Sequence, residues 1–70
     1  GNIMLNKKVI INTETGEKQF KIEKVVNKYS KGTVHEYFDN SGNCRITFFC
    51  NKFSYKNFMA ELAELLLVQN

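Results

Sequence analysis

No stretch of this chain is apolar for long enough to cross a membrane or to form the hydrophobic part of a signal peptide; the longest such run, Leu65 to Val68, lies near the C-terminus. A soluble, cytoplasmic protein is expected. Cysteine is also scarce, with only Cys44 and Cys50. Both fall in one strand-like segment, which separates them by about 20 Å at ~3.3 Å per residue, too far for a disulfide. They are expected to be free thiols in a reducing compartment.

Histidine occurs once, at His35, and proline and tryptophan are missing altogether. A metal site built from His35 and the two cysteines is disfavoured, because strand spacing keeps the thiols from being neighbouring ligands. No glycine-rich strand-to-helix junction is present to cradle a phosphate. No paired carboxylates sit in a pocket-like context, since Glu14 and Glu17 flank a break and Glu61 and Glu64 fall on the polar side of a helical pattern. A non-enzymatic protein without cofactor, metal or small-molecule substrate is expected. Nine lysines against one arginine, together with nine asparagines, fit an AT-rich gene of a low-GC bacterium, a phage or a mobile element. Gly1-Asn2-Ile3 reads as a cloning scar before Met4, leaving residues 4–70 as a single domain.

Three breaks place a glycine at the same position: Glu14-Thr15-Gly16, Ser30-Lys31-Gly32 and Asn40-Ser41-Gly42. Each suits a three-residue hairpin loop, in which glycine enters the left-handed region without steric penalty. The intervening segments 4–13, 17–29, 33–39 and 43–51 are rich in Val, Ile, Phe, Tyr and Thr, which is strand composition. After Ser54 the period changes. Tyr55, Phe58, Met59, Leu62, Leu65 and Leu66 recur at helical spacing, with Ser54 as the cap and Phe53 placed to staple onto Phe58. The expected fold is α+β: an antiparallel four-stranded β-meander with one C-terminal amphipathic helix packed on one face.

The hairpin at Asn40-Ser41-Gly42 sets a register. Asp39 pairs with Asn43, Tyr37 with Arg45 and His35 with Thr47. One face then carries Val34, Phe38, Cys44, Ile46, Phe48 and Cys50, and the same arithmetic through the preceding loop adds Phe20, Ile22 and Val26. That is the expected core face, with Lys24 and Lys28 flanking Glu36 at its margin. The opposite face receives Lys21, Glu23, Val25, Asn27, Tyr29, His35, Tyr37, Arg45, Thr47 and Phe49, with Val9 and Ile11 from the first strand. His35 and Cys44 lie on opposite faces, which separates the base from the nucleophile that thiol catalysis would need.

A single helix covers only one side of a sheet, so the second face stays open, and exposed apolar surface of that kind usually marks an interaction site. Two functions are expected from it. The first is protein–protein association, as a homodimer or as an inhibitor or adaptor docking on a larger machine, with Tyr29, His35, Tyr37, Arg45 and Phe49 as the partner-binding residues. The alternative is single-stranded nucleic-acid binding, with Lys21, Lys31 and Arg45 tracking phosphates beneath stacked bases. A net charge of +3 is a weak footprint for that alternative. Leu67 and Val68, outside the main helical stripe, form a candidate secondary patch.

Overall fold

A computed structural model of the protein describes residues 5–67, which form β1 (Asn6–Glu14), α1 (Glu17–Tyr29), β2 (His35–Phe38), β3 (Asn43–Asn51) and α2 (Tyr55–Leu67). The fold is α+β with a three-stranded antiparallel sheet and two helices, not a four-stranded meander with one helix. The proposed scar at residues 1–3, Met4 and Val68 lie outside the described residues.

The correction falls on Glu17–Tyr29, which is a helix. Its strand-like Ile22, Val25, Val26 and Tyr29 sit at i, i+3, i+4 and i+7, which places them on one helical face. Gly16 (φ 106°) is the residue before the first turn and not a hairpin glycine. Its N–H donates to Gln19 Oε1 at 3.1 Å, so the third helical residue reaches back and satisfies the entry to the helix. Glu17 and Lys21 pair at i,i+4 (3.8 Å), and the Ser30 N–H closes the C-terminal turn on the Val26 carbonyl at 2.8 Å.

Because α1 intervenes, β1 and β2 run in the same direction at opposite edges of the sheet, and β3 lies between them antiparallel to both, in the order β1-β3-β2. The β2–β3 hairpin has the expected register: His35 opposite Thr47 and Tyr37 opposite Arg45. It closes through the Asp39 N–H to the Asn43 carbonyl at 3.1 Å. Asp39 Oδ1 also accepts from the Ser41 and Asn43 N–H groups at 2.8 and 3.0 Å, and Gly42 supplies the positive φ of 82°.

Both helices pack on one side of the sheet. Val9 from β1 and Cys44, Ile46, Phe48 and Cys50 from β3 meet Ile22 and Val26 from α1 and Phe58 and Leu62 from α2. Phe58 stands edge-on to Phe48 (centroids 5.2 Å apart) and to Tyr29 (5.8 Å), so one ring joins sheet, α1 and α2. Val9 and Ile11 thus belong to the core side of the sheet, against expectation, because β1 pairs with β3 rather than with the segment that became α1. Phe20 and Phe38 are exposed, and so are Met59 and Leu66. Phe53 is 78 % exposed, so the expected staple onto buried Phe58 is not made. The Asn51 side chain orders that turn instead, accepting the Phe53 N–H at 2.7 Å, and α2 begins with the Phe58 N–H on the Ser54 carbonyl at 3.0 Å.

Candidate functional site

Nothing among the described residues covers the far side of the sheet, and the strand registers write its surface row by row. Asn6 pairs with Asn51 at one end, and Lys8 pairs with Phe49, beside which Lys31 is held by its N–H on the Phe49 carbonyl at 2.7 Å. The next row is Ile10, Thr47 and His35; the next is Asn12, Arg45 and Tyr37; the last is Glu14, Asn43 and Asp39. Each strand contributes one large exposed apolar side chain: Ile10 (54 %), Tyr37 (59 %) and Phe49 (45 %). The Arg45 guanidinium lies over the Tyr37 ring at 5.1 Å, a cation–π contact that orders both groups on the surface.

Of the residues expected on this face, His35, Tyr37, Arg45, Thr47 and Phe49 are brought together there, with Lys31 at its margin. Tyr29 and Lys21 are not. Both are on α1, on the other side of the sheet, where Lys21 pairs with Glu17 and Tyr29 packs on Phe58. Lys8, Ile10 and Asn12 complete the face and were missed. In β1 both alternating sets, Val9-Ile11-Thr13 and Lys8-Ile10-Asn12, contain apolar residues, so periodicity alone does not choose between them; pairing with β3 does.

On the helical side, Glu61 faces α1 rather than solvent. Its carboxylate accepts a short hydrogen bond from the Tyr29 hydroxyl and is met by Lys28 Nζ at 3.1 Å. The Tyr29 hydrogen bond, followed by Lys28, lowers the Glu61 pKa, and the same bond to Glu61 raises that of Tyr29. Lys28 is therefore engaged with α2 and does not flank Glu36. Glu36 instead meets Glu23 of α1. A hydrogen bond with Glu23, aided by partial burial and by the Glu23 charge, pushes the Glu36 carboxyl up to about 7. Glu23 Oε2 also accepts from Gln19 Nε2 at 2.8 Å, which ties the pair to the start of α1.

Burial raises both thiols, and for Cys44 the nearby charges of Glu36 and then Glu23 add to it. Cys44 and Cys50 are free and buried, and His35 is on the other face. Among the described residues no group of three or more His, Cys, Asp or Glu side chains is placed to hold a metal ion. None of their helices is long and apolar enough to cross a membrane. An open groove of about 570 Å³ between α1 and α2 is lined by Val25, Glu61, Glu64 and Leu65. No known protein family, curated protein or solved structure matches the chain.

Proposed function

We propose that this protein acts by binding another protein through the uncovered face of its sheet, with Tyr37, Arg45, Phe49, His35 and Ile10 as the contact residues. The observation that carries this reading is the coincidence on one uncovered face of Ile10, Tyr37 and Phe49, one from each strand, each about half exposed. Aromatic and arginine side chains give the largest contact area for the least loss of freedom, and Arg45 is already held against Tyr37. Single-stranded nucleic acid is less well served. Tyr29 and Lys21 are on the other side of the sheet, and the aromatic platform is reduced to Tyr37 and Phe49.

Replacing Tyr37 and Arg45 together by alanine removes the stacked pair without opening the core, since both are exposed. The double variant is expected to lose association with protein, self included, while its far-UV circular dichroism stays that of the wild type. Titration with a short oligonucleotide separates the two classes of partner. Binding through several phosphates weakens by orders of magnitude between about 50 and 200 mM salt, whereas an apolar protein contact changes little. Wild-type association strength in the double variant overturns the reading, as does salt-steep oligonucleotide binding that this double variant abolishes.

A further inference from the structure

The open face is polarised along its strands. Beyond an uncharged Asn6–Asn51 pair, its first charged row places Lys8 and Lys31 on either side of Phe49, and its last places Glu14 and Asp39 on either side of Asn43. All four of these charged residues are exposed. None of them takes part in the ion pairs found among the described residues, Lys21–Glu17 and Lys28–Glu61. One end of the face is thus cationic and the other anionic, about 20 Å apart across six residues of β3 at ~3.3 Å each. The two middle rows, Ile10-Thr47-His35 and Asn12-Arg45-Tyr37, contain no acid.

We infer that the partner seated on this face is a second copy of the chain, stacked sheet to sheet about a twofold axis that lies between the sheets and runs across the strands. The inference rests on the open-face reading above and names its partner. A twofold contact uses the same patch on both copies, so the patch must be complementary to itself. Rotation about an axis across the strands keeps each strand over its own counterpart and reverses its direction. Lys8 then faces Glu14 of the second copy and Lys31 faces Asp39, giving four opposed charge pairs in the dimer. In the middle, His35 meets Tyr37, Thr47 meets Arg45, and Ile10 meets Asn12.

The other face-to-face twofold, with its axis along the strands, would set Lys8 against Lys31 and Glu14 against Asp39. Like charges in apposition disfavour that arrangement, so the polarity selects one geometry of the two. Aligned sheets cross at about 30°, a divergence that lysine side chains at the corners can span. Three strands at ~4.8 Å and nine residues at ~3.3 Å make a face of about 14 by 30 Å, smaller than the roughly 800 Å² per partner of a standard interface. The dimer is accordingly weak, and its dissociation constant lies at micromolar or higher concentration.

Sedimentation equilibrium of the full chain, from about 10 μM to 1 mM at low salt, tests this through a charge swap. Lys8→Glu and Glu14→Lys should each weaken self-association by about tenfold, because each reversal places like charges at two symmetry-related positions. Mixing the two single variants restores both contacts in a heterodimer, and the chain carrying both substitutions restores them in a homodimer. Both should return to near wild-type affinity. A wild-type chain that stays monomeric at 1 mM overturns the inference, and so does a pair of single variants that associate like the wild type or that the mixture fails to rescue.

A cross-linker at Phe49 distinguishes this failure from failure of the broader reading. Capture of a different protein through Phe49, lost on replacing Tyr37 and Arg45 by alanine, leaves the open face as a protein-binding site and removes only the second copy.

Discussion

Phe48 ties the central strand of the sheet to α2. It is 1 % exposed, projects from the central strand, and meets Phe58 of α2 edge to face. Phe48→Ala leaves a cavity between sheet and helix costing roughly 3 to 5 kcal/mol, comparable to the whole net stability of a chain this short. Urea or thermal unfolding should find the variant largely unfolded at room temperature; an unchanged melting temperature would mean that the helices do not cover this face. Cys44 and Cys50 belong to the same buried row, and their role is packing. Since both thiols are free and burial raises their pKa, reducing agent should leave the melting temperature unchanged, and thiol reagents should label the native protein far more slowly than the denatured one.

Among the elements, α1 is fastened at two points of opposite electrostatic character. Toward α2 it presents Lys28 and Tyr29 to Glu61, an attractive contact across the helix pair. Toward β2 it presents Glu23 to Glu36, and there a proton is needed. The Glu36 pKa is raised from 4.5 to about 7 in the fold, so between those values the native state binds more protons than the unfolded chain. Stability from this contact is complete below about pH 4.5, falls as the pH rises toward 7, and is lost above it. Glu36 is exposed, so water screens the repulsion and the change is modest. Glu36→Gln keeps a donor toward Glu23 and removes the charge. Its melting temperature should be flatter than wild type from about pH 5 to 8, and at least as high at pH 8; a wild-type slope in this variant would assign the dependence to another group.

For the whole molecule, the two faces of the sheet divide buried core from exposed surface. Both helices lie on one side, so the row Cys44, Ile46, Phe48 and Cys50 carries the core while Arg45, Thr47 and Phe49 between them carry the surface. Substitutions in the second set should shift unfolding free energy by no more than about 0.5 kcal/mol and act on association alone. Tyr37→Ala with Arg45→Ala is the direct check, because denaturant unfolding and sedimentation of one variant read the two properties separately. A loss of stability as large as that of a core truncation would show that the cation–π pair holds β2 to β3 rather than facing a partner.

The β2–β3 hairpin, its register and the alternation along β3 follow from local sequence, so that His35, Tyr37, Arg45 and Phe49 were legible as one surface. These depend on local chemistry: Asp39 and Gly42 fix the turn, and once the turn is fixed every cross-strand neighbour follows. The amphipathic helix after Ser54 was legible for the same reason. Long-range packing set the state of Glu17–Tyr29, and with it the place of Tyr29, Lys21, Val9 and Ile11. That segment carries β-branched residues at helical spacing, two local signals of comparable weight, and the choice between them was settled by what it could bury. As a helix it closes Ile22 and Val26 over β3, frees β1 to pair with β3, and leaves the edge strand uncovered, with Phe38 half exposed. Burial against residues distant in the chain is a property of the assembled molecule, and a preference of a few tenths of a kcal/mol per residue for strand or helix does not outweigh it.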